Sequence, residues 1–247
     1  MSRHAEIVQC LAEWIGLKQP PIAVYYTDQR PENALVPEGT GERGHCCHLT
    51  WLGVVADGRV VALDRANYGC GGAGVYLGFA PGLREGFEYF LSTGIPGKLE
   101  GERYKKTPEL VRTLDTEFLT APGAYYIYRR LAEVPEDVTP EVVIFLETAD
   151  QLSGLFTLAN YGRPGRDNVI TPFCSGCGAL VHEPRRQALR GQPKAVIGLF
   201  DVSSRHGVRP DQLAFSAPYS MVVEMAADAP ESFLCRDEWR RVKERKA

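Results

Sequence analysis

Short apolar runs separated by helical stretches constrain this chain more than any other feature. Ile22 to Tyr26, Val60 to Leu63, Tyr125 to Tyr128, Val142 to Leu146, Val169-Ile170, Ala195 to Phe200 and Leu213 to Ser216 are short and mostly β-branched or aromatic, the pattern of strands. Between them run segments of helical period. Residues 5–17 carry Ile7, Leu11, Trp14 and Ile15 at helical spacing, with Cys10 on the same stripe, and Pro20-Pro21 ends them. Helices are also predicted over 46–56, 87–91, 151–160, 221–225 and 236–243. Thr107-Pro108-Glu109 looks like an N-cap with proline at the first helical position, opening a helix to about Leu119. Asp28 to Gly44, Glu100 to Lys106 and Tyr161 to Asn168 read as loops. Strands and helices alternate irregularly and no linker is visible. The expectation is one α+β (mixed α/β) domain over residues 1–247.

An internal echo runs through this order. Ile22–Tyr26, helix 46–56, strand 60–63 and Cys70 form one series. Val142–Leu146, helix 151–160, strand 169–170 and Cys174/Cys177 form a second. The words Ala66-Asn67-Tyr68-Gly69 and Ala159-Asn160-Tyr161-Gly162 also recur, at different points of the two series. The echo predicts two pseudo-repeated halves whose cysteine loops face each other.

Bulk composition narrows the function classes. With 44% hydrophobic and 24% charged residues, a chain of 247 residues can bury a core without disulfide staples. A net charge of −3 gives no basic excess for nucleic acid. No apolar run approaches the ~20 residues of a membrane-spanning helix, and mean hydropathy is −0.20. The polar start, Met1-Ser2-Arg3-His4-Ala5-Glu6, lacks the layout of a signal peptide, so a cytoplasmic protein is expected. Seven cysteines in that compartment read as thiols or ligands.

Five of the seven lie in three segments: His45-Cys46-Cys47-His48, Gly69-Cys70-Gly71-Gly72-Ala73-Gly74 and Cys174-Ser175-Gly176-Cys177-Gly178. Cys174 and Cys177 have the spacing to grip one metal ion or one cluster iron. The same spacing also serves thiol–disulfide exchange. Gly69, Gly71 and Gly72 flank Cys70, where glycine permits close backbone approach to a bulky cofactor. Gly69, Gly71 and Gly74 also match G-x-G-x-x-G. Five residues separate that match from the preceding strand, and no second βαβ unit with its acid follows, which argues against a dinucleotide site. Adjacent Cys46 and Cys47 point about 100° apart on a helix, so only one faces a given site. His45 and His48 are further ligand candidates. Cys10 and Cys235, the latter near Trp239, read as packing residues. Ser203-Ser204-Arg205-His206 carries no triad signature. No nucleophile elbow, Walker loop or H-E-x-x-H is present. Arg103, Lys105, Lys106, Arg163 and Arg166 are loop cations with the chemistry to receive an anion.

Several runs resemble the family called domain of unknown function 169. They are Leu63-Asp64-Arg65 through Gly69-Cys70-Gly71-Gly72 to Leu77-Gly78-Phe79, and Gly101-Glu102-Arg103-Tyr104 with Lys106-Thr107-Pro108-Glu109-Leu110. Leu158-Ala159-Asn160-Tyr161 with Asp167-Asn168-Val169-Ile170, and Ala195 to Asp201, complete the set. The resemblance spans nearly the whole chain. It implies a protein common in anaerobic bacteria and archaea, with shared cysteines matching Cys47, Cys70 and Cys177. The position of Cys174 is often glycine there. Three ligands on a [4Fe–4S] cluster leave one iron open to Cys174, solvent or a substrate, by the logic of open catalytic metal sites.

The expected function is therefore cytoplasmic iron–sulfur binding, as a redox carrier or an enzyme with an open iron. Cys47, Cys70, Cys177 and Cys174 are the metal-ligand candidates, Gly69, Gly71 and Gly72 the cofactor cradle, and a small molecule or a redox protein the partner. The competing expectations are a zinc-binding or metal-free structural or ligand-binding module, and a thiol–disulfide oxidoreductase using Cys174 and Cys177.

Overall fold

The computed structural model describes residues 1–37, 47–114, 117–205 and 207–245. Among the described residues, eight strands form one mixed sheet: β1 Ile22–Thr27, β2 Ala34–Leu35, β3 Val60–Leu63, β4 Tyr125–Arg130, β5 Val142–Thr148, β6 Val169–Ile170, β7 Ala195–Gly198 and β8 Gln212–Pro218. Their order across the sheet is β2-β3-β4-β1-β5-β8-β7-β6. The outer pairs β2·β3 and β6·β7 are parallel, and the inner pairs are antiparallel. The helices are α1 Arg3–Ile15, α2 Cys47–Ala56, α3 Gly71–Tyr76, α4 Phe87–Phe90, α5 Pro108–Arg112, α6 Ala149–Tyr161, α7 Glu183–Leu189, α8 Val202–Arg205, α9 Tyr219–Asp228 and α10 Asp237–Lys243. A π-helical turn, Gly178–His182, runs directly into α7. The architecture is α+β, as the sequence pattern predicts.

The sheet consists of two four-strand halves related by a pseudo-two-fold. Val61↔Tyr128, Ala62↔Ile127 and Leu63↔Tyr126 pair β3 with β4, and Val196↔Ser216, Ile197↔Phe215 and Gly198↔Ala214 pair β7 with β8. At the edges, Ala34↔Val60 and Leu35↔Val61 match Val169↔Ala195 and Ile170↔Val196. Both comparisons equate Val61 with Val196, so the register itself repeats. The halves meet at β1·β5 through Ile22↔Ile144, Ala23↔Val143 and Val24↔Val142. The axis passes through the middle pair, where Ala23 faces its own equivalent.

This repeat is not the one predicted. The sequence order aligned helix 46–56 with helix 151–160 and strand 60–63 with strand 169–170. The register instead equates β2 with β6 and β3 with β7. The helix crossing from β2 to β3 is α2, headed by Cys47, and its counterpart is the π-turn and α7, headed by Cys177. The recurring Ala-Asn-Tyr-Gly words are not equivalent, because one lies in the turn after β3 and the other ends α6. The misalignment arose because β2 has only two residues and sits inside the predicted loop 28–44.

Alternation along the strands gives each sheet face its own apolar layer. On one face α1, α6, α9 and α10 cover Ala23, Tyr25, Ile127, Val143, Phe145 and Phe215, using Leu11, Leu155, Met221 and Trp239. On the other, Leu52 and Val55 of α2, Ala73 of α3 with its capping Leu77, and Ala179 to Val181 of the π-turn cover Val24, Leu63, Tyr126, Tyr128 and Ile144. Other departures are local. The helix opened by Pro108 stops at Arg112. The glycine run contains a helix, α3. The helical segment 178–189 and α8 have no counterpart in the sequence prediction.

Candidate functional site

Cys47, Cys70 and the segment from Cys174 to Cys177 belong to elements of the face covered by α2, α3 and the π-turn. Cys47 is the first residue of α2. Its side chain, with His45 and Cys46, lies outside the described residues. Its neighbour His48 is 1% exposed, with Nδ1 2.9 Å from the Tyr128 hydroxyl on β4. Burial pushes the His48 pKa down to about 3, so the imidazole is neutral.

Cys70 is the N-cap of α3. Its extended backbone (φ −100°, ψ 166°) lets the side chain turn back, and the Ala73 N–H donates to Cys70 Sγ at 3.4 Å. Gly69 supplies the bend into this cap with φ +91°, a conformation that a side chain resists. A Cβ on Gly71 would meet nothing within 4 Å, and one on Gly72 would stand 3.8 Å from Cys70 Sγ. Of the three glycines, only Gly69 is demanded by the backbone of the chain itself. Gly71 and Gly72 leave room beside the sulfur.

Helix α3 packs on the π-turn that follows Cys174-x-x-Cys177. Cys177 is 4% exposed and is the N-cap of that turn. Ser175 Oγ lies 3.9 Å from Cys177 Sγ, and the Ala179 N–H donates to the Ser175 carbonyl at 2.8 Å. Cys174 is half-buried, and burial raises its thiol pKa. Its sulfur rests on Gly178. A Cβ at Gly178 would overlap Cys174 Sγ and come within 3.0 Å of Cε1 and Cζ of Tyr76. Burial, and then the neighbouring Cys174, push the Tyr76 pKa up. The Tyr76 ring meets Phe118 edge-on at 5.7 Å and His182 at 5.5 Å. His182 donates from Nε2 to the Glu117 carbonyl at 2.9 Å, and its pKa is lowered by burial.

A second contact locks α3 to α7. The Tyr26 hydroxyl at the end of β1 donates to the Leu77 carbonyl at 2.8 Å. The Arg185 guanidinium stacks 4.9 Å from the Tyr26 ring and donates to Glu141 at 3.2 Å. The seat of Cys70 and the seat of Cys177 are thus tied to one strand end.

Sequence reasoning missed Tyr76, Ser175, Gly178 and Arg185. Gly178 was readable as a glycine directly after the CxxC. The others need the α3–π-turn contact to be known. Cys10 packs on the opposite face, its thiol donating to the Ala226 carbonyl at 3.3 Å. Cys235 is exposed rather than packed; Phe233 and Leu234 face Trp239 in its place. Among the loop cations, Arg163 pairs with Glu224, and Lys105 sits 4.4 Å over the Phe173 ring. His206 lies outside the described residues. Among the described residues, no three His, Cys, Asp or Glu side chains form a ready metal-binding group, so Cys70, Cys174 and Cys177 are not one by themselves. No described helix is long and apolar enough to cross a membrane.

These features define an α+β protein in which Cys47, Cys70, Cys174 and Cys177 lie on elements of one sheet face. Over residues 10–228 the chain matches domain of unknown function 169, described as "Uncharacterised ArCR", and it belongs to that family. Searches of curated proteins and of solved structures returned no match.

Proposed function

We propose that this protein binds an iron–sulfur cluster through Cys47, Cys70 and Cys177, with Cys174 as the candidate fourth ligand. The observation that carries the reading is the packing of α3, capped by Cys70, on the π-turn capped by Cys177, on the same sheet face as α2. The donor set suits the group in kind, since it is thiolate-rich and free of carboxylates. The room beside Cys70 Sγ at Gly71 and Gly72 and the N–H aimed at that sulfur are features that cluster sites use. A π-helical turn at the ligand segment fits the frequent placement of such turns at functional sites. Bound there, a cluster supplies one-electron transfer or an open iron acting as a Lewis acid. The chain's own part is to fix the sulfurs, shield them with the Tyr76–Phe118–His182 wall and hold α3 against α7 through Tyr26 and Arg185. The proposed setting is the cytoplasm, with a small molecule or a redox protein as partner.

Anaerobic reconstitution with iron and sulfide tests this. The expected product is brown, absorbs broadly near ~400 nm as thiolate–iron charge transfer does, and loses its iron in Cys47→Ser, Cys70→Ser or Cys177→Ser. A colourless, iron-free product would overturn the reading. One equivalent of zinc, with unfolding by chelator, would replace it with a structural zinc site. Disulfide reductase activity that needs Cys177 at unchanged metal content would replace it with thiol–disulfide exchange.

A further inference from the structure

The pseudo-two-fold leaves one half of the sheet less filled than the other. It equates Tyr26 with Leu146 and Tyr126 with Ala214, since Tyr26↔Tyr126 pairs β1 with β4 as Leu146↔Ala214 pairs β5 with β8. In the first half two rings meet there, with centroids 4.8 Å apart, and the Arg185 guanidinium covers the Tyr26 ring. Leu77, in the long link 64–124 from β3 to β4, accepts from the Tyr26 hydroxyl. In the second half the two side chains are smaller, and the link from β7 to β8 is the short segment 199–211. A cleft of about 500 Å³ opens over Leu146.

Gly53 and Ala56 of α2 form one wall of the cleft, and Gly207 and Val208 of the short link form another. A Cβ at Gly53 would meet nothing within 4 Å, so the α2 wall is bare backbone there. The link is pinned by Arg205, which donates to the Gln212 and Pro210 carbonyls at 2.6 and 3.1 Å. Gln212 also lines the cleft, and strand alternation puts its side chain on the same face as Leu146. It is 7% exposed, yet its side-chain amide has no hydrogen-bond partner among the described residues. A buried amide left unpaired costs free energy that a ligand can recover. At the mouth, Arg209 is already paired with Asp211, and Asp57 repels anions.

We infer that this cleft binds a neutral, flat, ring-shaped small molecule with a hydrogen-bond donor and acceptor side by side on its edge, as in a free nucleobase or an aromatic amide. The flat shape follows from the equivalent place in the first half, where the chain lays down its own ring. The paired edge follows from Gln212, because a carboxamide meets such an edge with two hydrogen bonds, as glutamine does with adenine. The volume lies within the ~300–1,000 Å³ of small-molecule sites. None of the lining residues is a cysteine, so the inference stands apart from the iron–sulfur reading.

Backbone amide shifts of the full chain, titrated separately with adenine, nicotinamide and phenol, provide the test. Adenine or nicotinamide should shift Gly53, Ala56 and Val208 saturably. Phenol, which has the ring without the paired edge, should bind about tenfold more weakly or worse. Gln212→Leu removes the amide at similar volume and should weaken the better of the two ligands by about tenfold or more. Gly53→Leu fills the cleft from a helix position with open space. It should abolish the shifts while leaving the melting temperature near wild type, and it decides the matter if Gln212→Leu folds poorly. Failure of both adenine and nicotinamide to bind, phenol binding as tightly as they do, or unchanged affinity in folded Gly53→Leu would each overturn the inference, whatever the iron content.

Discussion

Burying a carboxylate is costly, and Glu147 on β5 is 1% exposed. Its Oε1 accepts N–H bonds from Lys18 at 2.9 Å and Gln19 at 3.2 Å, which tether the link between α1 and β1, while Oε2 has no partner among the described residues. Burial pushes its pKa up to about 7, against the downward pull of those two N–H groups. The folded protein therefore holds a proton that the unfolded chain loses above about 4.3. The stabilising contribution is full below that value and is lost as pH rises through about 7. Glu147→Gln keeps the acceptor and removes the charge. It should raise stability at pH 8 by ~1–3 kcal/mol relative to its effect at pH 4; urea unfolding at both values would show it, and a pH-independent difference would refute it. The cysteines outside the site make a second case. Cys10→Ala should cost ~1 kcal/mol through lost packing, and exposed Cys235→Ala close to nothing, with iron content untouched in both; loss of iron from a folded Cys10→Ala protein would reopen the ligand assignment. The packing of Cys10 was legible because an apolar stripe of period 3.6 announces it. The exposure of Cys235 was not, because a short 3-10 turn, Phe233–Cys235, shifts it off the phase that places Trp239.

Elements with a strong period could be read, and those whose identity depends on pairing could not. Strands β3 and β6 fall where the apolar runs place them, and α1, α6 and α9 follow their stripes to within a few residues. The π-turn and α7 were not legible, since Gly176, Gly178 and Pro184 punctuate the segment as a loop would. Helix α3 was hidden by three glycines, each a poor helix former; it persists because Ala73 and Val75 are buried and Tyr26 anchors its exit. The α3 glycines yield a prediction of opposed outcomes. Gly74 lies against the Tyr68 ring, where a Cβ would come within 2.6 Å, so Gly74→Val should destabilise the protein by ~1–3 kcal/mol. Gly71 has open space, so Gly71→Val should leave thermal stability near wild type while lowering reconstituted iron. Equal stability losses in the two variants would make the Gly71 side of the loop an ordinary bend.

The whole sheet is built outward from the β1·β5 seam, whose paired residues Ile22, Ala23, Val24, Val142, Val143 and Ile144 are at most 2% exposed. Two-residue strands β2 and β6 close its edges, short enough to offer little to another chain. Amide exchange should follow this gradient: protection at Ala23 and Val143 should exceed that at Ala34 and Val169 by roughly a hundredfold or more, because edges open by fraying and the centre only by global unfolding. Similar rates across all eight strands would contradict it. The two-fold governs the scaffold and only part of the candidate site. Cys70 stands as far beyond Leu63 as Arg205 stands beyond the equivalent Gly198, and no cysteine occupies α8. The two-fold thus pairs the helix headed by Cys47 with the turn headed by Cys177 but gives Cys70 no counterpart. On the proposed reading, loading saturates at one cluster for each chain, an iron-to-protein ratio of about 4 for a [4Fe–4S] centre, and an iron titration that ran on to twice that value would mean the cysteines of the two halves do not share one cluster.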